Sequence, residues 1–181
     1  MRLPADVREL VRQRASGTCE YCGISETDAG GELTTDHFQP RTKGGSDKDD
    51  NLLYCCHRCN QYKADYWPSD VDSPVLWNPR LEHKDTHLLA LADGRLLPIT
   101  VTGEFTLCRL RLNRPALITH RARKRRQAEE QQLLTRLLGA LSALEQLHQQ
   151  HAMLLEEHRT LLDQHRALLR LLLERGRHDL H

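Results

Sequence analysis

Four cysteines, one Asp-His pair and two asparagines are the residues of this chain whose types and spacing could do chemistry. Cys19-Glu20-Tyr21-Cys22 and Cys56-His57-Arg58-Cys59 are two C-x-x-C turns; between them lie Thr35-Asp36-His37, Gly44-Gly45 and Asn51, and Asn60 follows the second turn directly. A C-x-x-C turn aims two thiolates at one metal ion, and two such turns close the four-coordinate shell of a structural zinc. Cys19, Cys22, Cys56 and Cys59 are therefore the expected zinc ligands. The stretch between the pairs is longer than a simple zinc ribbon needs. An insertion has to be housed there, and it holds the acid, the imidazole and the asparagine. That order predicts a zinc-knit fold that presents them to a phosphodiester. A redox pair of C-x-x-C turns is the other reading of the same cysteines, and a thioredoxin-like βαβ pattern to go with it is missing. Cys55 could replace Cys56 as ligand, although Cys56 keeps the two-residue spacing to Cys59.

The elements that must position these groups follow from pattern. Pro4 to Ala15 reads as a helix, with Pro4 suited to a first turn, Val7, Leu10 and Val11 at helical spacing and Gly17 as a stop. Its task is to deliver the first cysteine turn. Ser25 to Glu32 reads as a polar loop. Leu33 to Phe38 reads as a strand ended by Pro40, 41–50 as a loop turning at Gly44-Gly45, and Leu52 to Cys55 as a second short apolar segment. Cys56 to Tyr66 looks helical. Beyond an irregular stretch, Trp67 and Trp77 are expected to cap a small core, with stacking on bases as the functional alternative.

Asp93-Gly94 between two apolar runs predicts a hairpin within His87 to Ile99. Phe105 to Leu112 alternates as a third strand, with Cys108 a small buried residue in it. Asn113 as N-cap and Pro115 in the first turn then open one helix of some 60 residues, roughly 90 Å long. Its later part repeats every seven residues: His151-Leu154-Leu155, His158-Leu161-Leu162, His165-Leu168-Leu169. Such a repeat implies a left-handed coiled coil or a bundle, joining further copies or a partner protein. The three histidines read either as a register-setting polar position or as a metal-binding or pH-sensitive stack.

The resulting fold class is α+β, in three parts: a small zinc-stabilised domain over 1–79, a β-hairpin or small sheet over 80–112, and a long coiled-coil helix over 113–176. Bulk composition agrees with a small core, since aromatics are 4% of 181 residues. Net charge is +1, yet Arg109 to Arg126 holds eight Lys/Arg and no Asp/Glu, a segment that could meet phosphates or simply be a solvated helix face. Met1 to Arg14 is charged rather than signal-like, and no run approaches the roughly 20 apolar residues of a bilayer span. The expected setting is cytoplasmic, without membrane contact, where paired C-x-x-C turns are metal sites more often than disulfides.

Taken together, Cys19-x-x-Cys22, Thr35-Asp36-His37, Pro40, Gly44-Gly45, Asn51-Leu52 and Cys56-x-x-Cys59-Asn60-x-x-Lys63 resemble the zinc-containing branch of the HNH endonucleases, over residues about 5 to 66. The resemblance implies a ββα-metal fold, DNA as substrate, and a catalytic divalent cation, usually Mg2+ or Mn2+, separate from the structural zinc. It implies that His37 is the general base, that Asp36 and Asn60 are ligands of the catalytic cation, and that Asn51 fixes the loop and orients the histidine. Elementary chemistry agrees: a neutral imidazole takes a proton from water near pH 7, and a hard cation on oxygen ligands neutralises phosphate charge. Asp36 and His37 merely hydrogen-bonding within the fold is the plain alternative. Arg41, Lys43 and Lys63 are candidate phosphate contacts, with His57 and Arg58 as further ones. The expected function is a metal-dependent endonuclease. The rivals are a non-catalytic zinc module that binds nucleic acid or protein, and a coiled-coil adaptor in a larger assembly.

Overall fold

A computed structural model describes residues 3–178, without the side chains of 172–174 and 176–178; Met1 and Arg2, the start of the charged amino-terminal stretch, lie outside the described residues. The chain divides into one unit up to Arg126 and a second from Gln127.

In the first unit, helix α1 spans Ala5–Arg14 behind Pro4, and the left-handed backbone of Ser16 and Gly17 stops it. Val11 is its buried contact, packed with Leu3, Leu52 and Tyr54. A one-turn helix, α2 (Glu26–Ala29), occupies the expected polar loop. Ser25 caps it through Asp28 N–H, and Gly30 ends it in the left-handed region. Four residues are too few to show a helical period, so this turn leaves no trace in the hydrophobic pattern.

Strand β1 (Thr34–His37) pairs antiparallel with β2 (Leu52–Cys55), setting Asp36 opposite Leu53 and His37 opposite Leu52. All four β2 residues are buried. Alternation sends Leu53 and Cys55 into one core and Leu52 and Tyr54 into another. Helix α3 (His57–Lys63) follows at once, capped by the Cys56 sulfur accepting from Cys59 N–H. The ββα order expected from the motif is therefore present.

The larger core joins Tyr21, Leu53, Trp77, Leu88, Leu96 and Leu110. Trp77 is 2% exposed and donates its indole N–H to Glu82 O, so it is a core residue. Trp67 stacks edge-on against Phe38. The hairpin forms as β3 (Leu88–Ala90) and β4 (Leu96–Pro98), turning at Gly94 with φ 88°.

The third strand does not form. Val101–Arg109 is a helix, α4, capped by Thr100 Oγ1 accepting from Gly103 N–H. Gly103 and Thr106 are its buried positions and Leu110, buried at its C-cap, continues them, a helical spacing that the alternation of Phe105, Leu107 and Arg109 conceals. Cys108 is accordingly exposed on a helix rather than buried in a strand. Asn113 does not cap the long helix either. Its side chain closes on β4, donating to Leu96 O at 2.8 Å and accepting from Leu96 N at 2.9 Å. Helix α5 spans Pro115–His178.

In the second unit, the fourteen leucines from Leu133 to Leu171 are each 44–66% exposed. A stripe of that extent on a single helix normally meets another helix. No helix among the described residues is long and apolar enough to cross a membrane.

Candidate functional site

The four cysteines converge. The Sγ atoms of Cys19, Cys22, Cys56 and Cys59 all lie within 4.8 Å of one another, and all four residues are buried. Cys22 and Cys56 sulfurs are 3.7 Å apart. A tetrahedral ion with Zn–S bonds of about 2.3 Å requires edges of about 3.8 Å, so the spacing fits zinc. Four thiolates around Zn2+ leave a net negative charge, and Arg114 directs Nη2 at the Cys56 sulfur from 3.9 Å. The choice between the adjacent cysteines is settled by strand alternation: Cys55 belongs to β2 and points into the apolar core, where burial pushes its thiol well above the ordinary range. Cys56 turns to the metal-type cluster, where hydrogen bonds from the Cys19, Cys22 and Cys59 thiols lower its own.

Between the cysteine pairs the chain is tied by one asparagine. Asn51 Oδ1 accepts from Gln39 N at 2.8 Å, while Nδ2 donates to Ser46 O at 2.7 Å and Gln39 O at 3.2 Å. One side chain thus binds both arms of the 39–51 loop. The glycines make that approach possible. Gly44 has φ 82°, and a Cβ on Gly45 would sit 1.8 Å from Gln39 O.

His37, at the end of β1, is held from this loop. Its Nε2 lies 2.7 Å from Asp47 Oδ1, and Arg41 grips the same carboxylate, with Nε on Oδ1 at 2.8 Å and Nη2 on Oδ2. The hydrogen bonds from Arg41, then His37, hold the Asp47 carboxyl down at about 2. A carboxyl depressed in the folded state adds stability above its ordinary range and loses it only as pH falls toward that value, so the brace is intact at neutral pH. An ionised carboxylate can only accept. Nε2 must then carry the ring proton of neutral His37, and Nδ1 keeps its lone pair. Asp47 was not legible as a site residue, because it sits in the polar run 46–50 where no period marks it.

On the α3 side of β1 stand Asp36 and Asn60. Asn60 Nδ2 donates to Thr34 Oγ1 at 3.4 Å, and Lys63 Nζ lies 2.9 Å from Asp36 Oδ2. Lys63 is 0% exposed, so its expected role as a phosphate contact is corrected: the ammonium is spent inside the fold on the Asp36 carboxylate. The geometry at Asp36 Oδ2 is an ion pair rather than an aligned hydrogen bond, since that atom has no hydrogen-bond partner. Among the described residues the metal-type cluster is the four cysteines, and the charge of Asp36 is met by Lys63. Arg41 is engaged with Asp47, whereas Lys43 is exposed on the 3-10 turn Arg41–Lys43.

A groove of about 720 Å³ runs past His37, lined among others by Arg8, Arg12, Thr34, Thr35 and Arg41. Arg12 is paired with Glu26 at 2.6 Å, which leaves Arg8 as a second cationic residue that pattern did not single out.

Comparison with known proteins agrees with this geometry. The family model for the HNH endonuclease matches residues 19–65. The CRISPR-associated endonuclease Cas9 of Corynebacterium diphtheriae is 42% identical over 53 residues, which are 29% of this chain and 5% of that protein. The chain thus matches a small part of that relative's length. No solved structure matches the chain. The matched stretch begins at the first zinc-type cysteine, takes in the β1–β2–α3 unit and the loop tied by Asn51, and ends just past α3. Residues 19–65 are an HNH endonuclease domain of the four-cysteine kind.

Proposed function

We propose that the chain is a metal-dependent endonuclease that hydrolyses DNA phosphodiester bonds with His37 as general base. The observation that carries this reading is the His37–Asp47 contact, which leaves Nδ1 as the basic nitrogen. Nδ1 takes a proton from water as the water oxygen bonds to phosphorus, and the P–O bond to the leaving sugar oxygen breaks. Asp36 and Asn60 would hold the Mg2+ or Mn2+, whose charge offsets that on the phosphate and the leaving oxygen. Asn51 fixes the loop that carries Asp47, and the cysteine site fixes the two elements on either side.

Supercoiled plasmid incubated with Mg2+ or Mn2+ tests the reading, through conversion to nicked or linear product. Asp47→Asn is the informative variant. An amide can donate as well as accept, so the imidazole loses its fixed tautomer, and cleavage is expected to fall about 10–100-fold, as for other partners that orient a histidine. An unchanged rate would remove Asp47 from the mechanism.

The second unit bears on how many sites act together. The exposed leucines of α5 support pairing of two copies as a coiled coil, which would bring two single-strand-cutting sites to one duplex. A chain ending at Arg126 is then expected to show the monomer mass in light scattering while the full chain shows a multiple of it. Equal mass per chain in both would refute the pairing.

A further inference from the structure

We propose that Arg8 binds a backbone phosphate of the nucleic-acid strand in the groove that His37 lines; the inference rests on the nuclease reading above. Three arginines line that groove, and two are committed. Arg12 gives Nε and Nη2 to Glu26 at 2.6 and 2.9 Å, and Arg41 is gripped by Asp47. Arg8 differs. Its Nε is buried without any hydrogen-bond partner, and it forms no ion pair among the described residues.

A buried donor left unsatisfied is costly, and more so when charged, so a guanidinium so placed favours a ligand that supplies acceptor oxygens. The carboxylates along the same groove do not supply them. Glu9 is engaged by Arg12 and Gln13, and exposed Glu32 makes no ion pair with Arg8. The planar fork of arginine matches two oxygens of a phosphate at once. Thr34 and Thr35 lie between α1 and His37 in sequence and line the same groove; the Thr34 hydroxyl is spent on Cys55 O at 3.0 Å, which leaves Thr35 to offer its hydroxyl to the strand. A backbone phosphate is the ligand whose chemistry agrees with both ends of the groove: an unpaired guanidinium at Arg8 and a base for phosphodiester hydrolysis at His37.

The test uses the full chain with His37→Ala, so that binding is read without turnover, and a short fluorescent duplex titrated between about 50 and 200 mM salt. Each phosphate neutralised by the protein contributes about 0.9 to the slope of log affinity against log salt. Arg8→Gln is expected to weaken binding and to lower that slope by about 0.9, with zinc content unchanged; Arg8→Lys, which keeps the charge, is expected to keep the slope. An Arg8→Gln slope equal to the parent's overturns the Arg8 assignment and leaves the nuclease reading standing. Failure of the parent to bind the duplex at any salt, together with failure of the wild-type chain to cut plasmid, overturns both.

Discussion

Removal of metal from the four-cysteine site is expected to unfold the domain that carries it. Apparent binding free energies of structural zinc are about 10–16 kcal/mol, against about 5–15 kcal/mol for the whole stability of an ordinary domain. Loss of the ion therefore leaves too little to hold β1, β2 and α3 together. Cys59→Ser is expected to do the same, because one thiolate in four is lost from a cluster whose sulfurs lie within 4.8 Å. The measurement is tryptophan fluorescence and circular dichroism during chelation, with zinc quantified on the same sample. Trp77 reports directly, being buried in the core that also contains Cys19, Cys22, Cys56 and Cys59. Cys108→Ser is the matched control, since that thiol is exposed on α4 and away from the cluster. A midpoint of unfolding that chelation does not move would exclude a structural metal here.

The second large effect falls on chemistry with the fold left standing. His37→Ala is expected to lower DNA cleavage by about 10²–10⁴-fold, the usual contribution of a positioned general base. The side chain hangs from the last residue of β1, and its polar contact is Asp47 in the loop. Truncation removes one hydrogen bond and the contacts of a side chain that is 14% exposed, but none of the cysteine ligands and no member of either apolar core, so zinc content should stay at the wild-type level and the loss of cleavage should far exceed any shift of the unfolding midpoint. Cleavage at the full rate by His37→Ala would end the assignment of the base, whatever else the protein cuts.

Sequence alone revealed the parts of the protein that are written locally. Cysteine spacing named the cluster and its four members, because geometry at a metal leaves little freedom. The Asp-His, Gly-Gly and Asn order carried the resemblance that implies the ββα unit. What escaped was set by contacts between distant segments. Phe105 to Leu112 alternates like a strand, yet Thr106 must meet the Trp77 backbone, Oγ1 accepting its N–H at 2.8 Å, and a helix capped by Thr100 brings it there. Asn113 has the chemistry of a cap but serves as a clip on β4. Lys63 looked like a surface cation because its partner is distant in sequence; Asp36 reaches it across the strand–helix packing. Asp47 is one carboxylate among three in 47–50, and only the folded loop singles it out.

Strand β2 has one more consequence, for motion. Its four residues are shared between two cores, so neither core can open without withdrawing the strand from the other. Opening of a protein proceeds in cooperative pieces, and a piece anchored twice opens at close to the full cost of unfolding. The loop on the other side of His37 has no such anchor. It is exposed over 41–44 and 46–50, and it is held by polar ties, from Asn51 and Gln39 within the 39–51 frame and from Arg14 of α1 to Asp49. His37 therefore sits where the partner of a doubly buried strand meets an exposed loop. The backbone of the base is fixed by its pairing with β2, while the carboxylate that meets its ring rides on the loop.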